Sequence, residues 1–162
     1  MVRFKNRWLL VEFISLSSDT PSHLPSPRTP PSFDAKQLYA ALRQSVISNF
    51  GDTGWGAVGS SLTVKYFSPT TNLCIIRVAR DQHTLAWGAV TLLSSINGSQ
   101  VIPHVVHVSG TIKHVQLAAI KHDREVVARF RARAKTPALY HSQDSYVAYL
   151  AQSTREIESL QE

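Results

Sequence analysis

Met1-Val2-Arg3-Phe4-Lys5-Asn6-Arg7-Trp8-Leu9-Leu10-Val11 is the stretch whose reading fixes the rest of the chain. Three cations at alternate positions lead into an apolar run that continues to Leu16, broken only by Glu12 and Ser15. A basic start before an apolar run is also the layout of a secretory signal. Here a carboxylate sits inside the apolar part, and Ser17-Ser18-Asp19-Thr20-Pro21 follows where a small-x-small cleavage site would stand. The stretch therefore reads as a strand. Its cationic parity turns apolar after Arg7, as expected of a strand that starts at a solvated or ligand-covered rim and is then buried on both faces.

Outward from this strand, residues 17–32 hold five of the eight prolines and five serines. They can build neither helix nor inner strand, and read as a tolerated loop insertion. A first helix is expected from about Asp34, capped by Asp34 or Ser32, to about Asn49. Leu38, Leu42, Val46, Ile47 and Phe50 form its stripe and Gly51 its stop. Gly51-Asp52-Thr53-Gly54-Trp55-Gly56 lacks the Gly-Lys-Ser/Thr ending of a phosphate loop and reads as a connector. Ser61–Phe67, with Leu62, Val64 and Tyr66 on one side, and Leu73–Arg80 form a hairpin across Pro69–Asn72. A second helix is expected over Gln82–Ile96, capped by Asp81 and ended by Asn97-Gly98. A fourth strand covers Val101–Val108, where Pro103 implies an edge position or the first turn of the strand. A long helix then spans Thr111–Ala134 and a weaker one Ser142–Gln161.

The order β-α-β-β-α-β followed by helix specifies an α+β, ferredoxin-like split sheet: antiparallel strands, two helices on one face, and additional C-terminal helices. The domain covers 1–135, with 17–32 as its loop and 136–162 as a helical or flexible tail. An RNA-recognition motif shares this order but needs aromatics on its third strand. Leu73-Cys74-Ile75-Ile76-Arg77-Val78 has none, so the base-stacking platform is missing. The second sheet face is apolar, and the third helix, a partner, or both must cover it.

Charge narrows the function further. The net charge is +6. Most of it lies in residues 113–135, where Lys113, Lys121, Arg124, Arg129, Arg131, Arg133 and Lys135 stand against Asp123 and Glu125. Such a block binds polyanions by releasing counterions, or else is a solvated helix face. Cys74 is the only cysteine. It excludes an internal disulfide, leaves no cysteine cluster for zinc, and reads as a small buried apolar residue. No apolar run approaches bilayer length. Among the seven histidines, strand alternation puts His104 and His107 on opposite faces. His114 and His122 fall to the basic helix face. No catalytic constellation is recognisable, so no catalytic residue and no protein-bound metal is expected. The turn Ser109-Gly110-Thr111 has two readings. Its amides and Lys113 could hold a phosphate oxygen, or Ser109 or Thr111 simply caps the helix.

Several pieces together resemble a known family. Met1–Leu10, Val64-Lys65-Tyr66, Ile75-Ile76-Arg77 with Trp87 ten residues after the arginine, and Ser109-Gly110-Thr111-Ile112-Lys113 are similar in order and spacing to the small conserved protein subunit of ribonuclease P and ribonuclease MRP. That is the fifth "processing of precursors" protein, with archaeal counterparts. The resemblance covers about 1–16 and 35–121. It departs in the longer proline-rich loop and gives no motif after Lys121. It implies a ferredoxin-like fold and a non-catalytic RNA-binding role in a ribonucleoprotein whose RNA, with magnesium bound to it, cuts the 5′ leader from precursor tRNA; the MRP particle processes ribosomal RNA precursors. The implied partners are that RNA, a TIM-barrel-like protein subunit and a second small ferredoxin-like subunit, with no membrane. The implied compartment is the nucleus, with the nucleolus expected. On this reading the RNA-binding set is Arg3, Lys5, Asn6, Arg7, Arg77, Gly110, Thr111 and Lys113. The alternative is a stand-alone RNA-recognition module of the same fold.

Overall fold

A computed structural model describes residues 5–16, 33–133 and 145–161. Arg3, Phe4, the proline-rich loop, Lys135 and the expected helix end at Thr136-Pro137 lie outside the described residues. The elements are β1 (Asn6–Ser15), α1 (Ala35–Val58), β2 (Thr63–Ser68), β3 (Leu73–Ala79), a 3-10 turn (Arg80–Gln82), α2 (His83–Thr91), β4 (Ser95–Ile96), β5 (Ser99–Ser109), α3 (Ile112–Arg133) and α4 (Ser145–Glu158).

β1 is the centre of the sheet. The order is β2-β3-β1-β5-β4 and every pairing is antiparallel. Apart from the two-residue β4, this is the ferredoxin-like arrangement that the element order predicts. Trp8, Leu9, Leu10, Val11 and Phe13 are buried, so the strand that begins cationic does become apolar on both faces. One face packs Leu9, Val11, Phe13, Cys74, Ile76 and Val78 against Leu38, Leu42 and Val58 of α1 and Ala86 and Val90 of α2. The other packs Trp8, Leu10, Tyr66, Leu73 and Ile75 against Val115 and Ala119 of α3 and Ile157 of α4. The apolar second face is thus covered by the chain's own two C-terminal helices. Cys74 is fully buried, and burial pushes its thiol well above the ordinary range.

Local chemistry explains the boundaries. Asp34 accepts the Gln37 backbone N–H at 2.8 Å while the Gln37 side chain accepts the Asp34 N–H at 2.9 Å, a reciprocal cap that starts α1. Gly51 breaks this helix at φ 68°, ψ −173°, a conformation open to glycine. The expected stop is therefore a kink, and the expected connector resumes as helix to Val58. α2 is shorter than expected. Asp81 lies inside the 3-10 turn, and no side chain caps that turn or α2. Asn97-Gly98 is a hairpin turn joining β4 to β5, not a helix end; both residues take positive φ (49° and 81°), as the favoured two-residue turn requires.

Two irregularities reverse side-chain parity. An extra residue between Val64 and Tyr66 puts Val64 opposite Ile76 and Tyr66 opposite Ile75, hence on opposite faces, correcting the expected single side. A second, in β5, sets His107 opposite Leu10 but His104 opposite Glu12. Both histidines therefore share one face, against simple alternation. Pro103 pairs Phe13 on one side only, because β4 reaches just Ser99 and Gln100. Its edge position holds.

Candidate nucleic-acid interface

Three element ends meet at one end of the sheet. The register sets Asn6 opposite Ala79, Arg7 opposite Val78, and Trp8 opposite both Arg77 and Ser109. The start of β1 therefore lies between the ends of β3 and β5. The Arg80 N–H donates to the Lys5 carbonyl at 2.8 Å, tying the rim together. Arg7 Nη1 donates to the Asn6 carbonyl at 3.1 Å. The same atom lies 3.1 Å from where a Cβ on Gly110 would stand. Glycine at 110 thus lets the guanidinium lie flat on the turn before α3. Ser109 Oγ accepts the Thr111 N–H at 3.1 Å, a turn that closes just before α3 rather than a bond to the amides of its first turn. It takes up one amide and leaves the phosphate reading for the others.

The predicted set is largely brought together. Lys5, Gly110, Thr111 and Lys113 are exposed, and Asn6 and Arg7 half-buried, all on this rim or in the first turn of α3. A lysine in a helix's first turn repels the positive end of the helix dipole, a modest cost that a bound anion offsets. Arg77 differs. It is half-buried on the face of Trp8 and Ile75, and its Nε is buried without a hydrogen-bond partner among the described residues. Arg80 is an exposed cation that the sequence reading left out. Its position directly after a β-prone run was the available signal.

The distal basic block divides. Lys121, Arg124, Arg129 and Arg133 are exposed, and Lys121 pairs with Glu125 at 3.8 Å. His122 and Asp123 are buried instead. His122 Nε2 lies 3.2 Å from Glu12 Oε2, and His104 Nδ1 lies 3.8 Å from the same oxygen. The carboxylate inside the apolar strand therefore faces two imidazoles. His122 holds the Glu12 carboxyl below its ordinary 4.5, against burial, with further help from the charges of Arg129 and His104. A lowered carboxyl pKa contributes stability that is full above the ordinary value and is lost as pH falls through the folded value. Urea unfolding at pH 7 and at successive steps below 4.5 should show wild type losing stability that Glu12→Gln never had. Parallel curves for the two proteins would refute the coupling.

Among the described residues no three His, Cys, Asp or Glu side chains are arranged to hold a metal ion, and no helix is long and apolar enough to cross a membrane.

The molecule is thus an α+β protein of ferredoxin-like fold with one cationic sheet end. It belongs to the Rpp14/Pop5 family, whose profile matches residues 7–120. It is 44% identical over 127 residues to "Ribonuclease P/MRP protein subunit POP5" of Schizosaccharomyces pombe, spanning 78% of this chain and 91% of the relative. It is 38% identical over 125 residues to "Probable ribonuclease P/MRP protein subunit POP5" of Arabidopsis thaliana, spanning 77% and 81%. A chain of the cryo-EM structure of yeast ribonuclease MRP superposes with a TM-score of 0.51 at 13% identity, over 80% of this chain and 98% of that one. That likeness bears on the fold alone.

Proposed function

We propose that this chain is a non-catalytic, RNA-binding protein subunit of ribonuclease P and ribonuclease MRP, which cut 5′ leaders from precursor tRNA and process ribosomal RNA precursors. The observation that carries the reading is the convergence of Lys5, Asn6, Arg7 and the Gly110 turn at one sheet end, in a chain whose relatives bear the names of those particles. The chemistry of cleavage belongs to the RNA and the magnesium bound to it. The protein's part is to hold RNA phosphates and fix their position. Arg7 and Lys5 supply charge, the turn supplies backbone N–H groups, and Lys113 adds to the same potential. The particle works in the nucleus, with a TIM-barrel-like subunit and a second small ferredoxin-like subunit as protein neighbours.

A stand-alone RNA-recognition module needs an open sheet face. Here α3 and α4 occupy that face, and Trp8, the aromatic that β1 turns toward it, is fully buried.

The test uses the reconstituted holoenzyme. Lys5→Ala with Arg7→Ala should weaken assembly on the RNA about tenfold or more, since bonds to charged groups contribute roughly 1.5–3 kcal/mol each. The slope of log affinity against log salt should fall by about 1.4–1.8 for two lost phosphate contacts. An unchanged affinity and slope would remove the assignment.

A further inference from the structure

At the opposite end of β1 lies a cleft of about 340 Å³ between the last turns of α3 and the β2–β3 turn. Arg129 and Arg133 line it together with Phe130, Val126, Ile14 and Asn72. The two arginines are one turn apart and so share a helix flank. Both are exposed, and neither makes a salt bridge among the described residues. Phe130 stacks on Tyr146 of α4 with ring centroids 6.2 Å apart, which fixes the apolar wall. Asn72 is held at φ 53°, its carbonyl accepting the Phe13 N–H at 2.9 Å, while its side-chain Oδ1 is buried with no hydrogen-bond partner among the described residues. Among the described residues lining the cleft the one carboxylate is Glu12, which faces His122 and His104 and also feels the charge of Arg129.

We propose that this cleft takes one unstacked nucleotide of single-stranded RNA. The phosphate lies on Arg129 and Arg133, and the base against Val126, Phe130 and Ile14. The volume suits a ligand of that size. The pairing of a guanidinium fork with an apolar wall is what a phosphate joined to a flat base requires. Free phosphate would leave the wall unused, and a duplex cannot insert a base. The site gives the distal basic block a role separate from the first interface. Lys113 and Arg133 are 20 residues apart on one helix, about 30 Å at 1.5 Å per residue. The inference rests on the RNA-binding reading above and extends it to a second, single-strand contact.

The test uses the full-length chain and a 4-thiouridine-labelled decauridylate, read by photo-crosslinking with mass spectrometry and by anisotropy against salt. Wild type should crosslink within the cleft, at Phe130 or the Phe13–Ile14 segment. Arg129→Ala with Arg133→Ala should lose that crosslink, weaken binding at least fivefold and lower the salt slope by about 0.7–1.4, one to two single-strand contacts. Arg129→Lys with Arg133→Lys should keep the slope. Lys5→Ala with Arg7→Ala should keep the crosslink. Binding unaltered by the double alanine change, equal competition by a duplex of the same length, or crosslinks only outside the cleft would each overturn the proposal. If the cleft variant loses the decauridylate while the Lys5/Arg7 variant leaves the holoenzyme unaffected, the rim assignment fails and the cleft stands.

Discussion

Trp8→Ala should cost the fold about 3–5 kcal/mol, the range for removing a large buried aromatic side chain. Trp8 is wholly buried on the central strand and belongs to the core that α3 and α4 close. Its loss leaves a void bordered by Leu10, Ile75 and Val115, residues on three separate elements that cannot all collapse inward. At roughly 2–4 °C per kcal/mol for a chain of this length, the melting temperature should fall by about 10 °C. The indole Nε1 has no hydrogen-bond partner among the described residues. Trp8→Phe therefore discards an unsatisfied donor along with some volume, and should cost only about 1 kcal/mol. Equal losses in the two variants would mean that the indole N–H has a partner after all.

Asp123→Ala should cost about 2–4 kcal/mol, and the loss should appear first in α4. Asp123 is buried, with Thr71 Oγ1 donating to Oδ1 at 2.8 Å and Ser153 Oγ donating to Oδ2. Beyond these, Tyr66 OH lies 2.9 Å from Ser153 Oγ, Tyr149 OH 3.1 Å from Thr71 Oγ1, and Ser68 Oγ 2.7 Å from Tyr149 OH. A hydroxyl has one proton, so the directions follow from the carboxylate outward. Tyr66 donates to Ser153, Ser68 to Tyr149, and Tyr149 to Thr71, every proton oriented toward Asp123. Removing the acceptor leaves two buried hydroxyls with nowhere to donate, and the chain of bonds loses its polarity. α4 would keep Ile157 in the core and the Gln116 Nε2 bonds to the Ile157 and Leu160 carbonyls at 2.8 and 3.1 Å, which makes it the element most exposed to the change. Urea unfolding gives the size of the effect, and amide exchange along 145–158 gives its location. Loss of protection no greater in α4 than in α1 would refute the assignment.

The same carboxyl has the opposite pH sense to Glu12. Burial raises it above its ordinary 3.8, and the hydroxyl hydrogen bonds offset that only in part. Its raised pKa makes the fold more stable as pH falls through the folded value, and that gain is complete below 3.8. Asp123→Asn removes the buried charge and keeps one of the two acceptors, leaving one hydroxyl to turn away from the new NH2 group. It should therefore lose less than the alanine variant and should be insensitive to acid at this site.

What could be read in the sequence was what repeats locally. The strand after Arg7, the Leu38–Leu42–Val46 stripe and the element order all follow from period and turn chemistry, and they fix the sheet. The rim was legible for the same reason, since its members lie at element ends that the order brings together. What escaped depends on neighbours far along the chain. The extra residues at Lys65 and Val106 reverse parity only because β3 and β1 set the register. Asn97-Gly98 suits a helix end as well as a hairpin, and β5 decides between them. His122 and Asp123 look like members of a charged helix face until Glu12, Thr71 and Ser153 are placed around them. Arg129 and Arg133 line a cleft only because the β2–β3 turn closes its other side.

The place of β1 also bears on how the fold is reached. Leu10 finds its neighbours in Ile75 on one side and His107 on the other, so the first strand to be synthesised waits for both. At a synthesis rate of about 5–20 residues per second, roughly a hundred residues take several seconds to follow it. During that interval a strand that ends up buried on both faces has no sheet to join. Contacts this distant slow the search for the native state. The nascent chain therefore carries Trp8–Phe13 unpaired until β3 and β5 have been made.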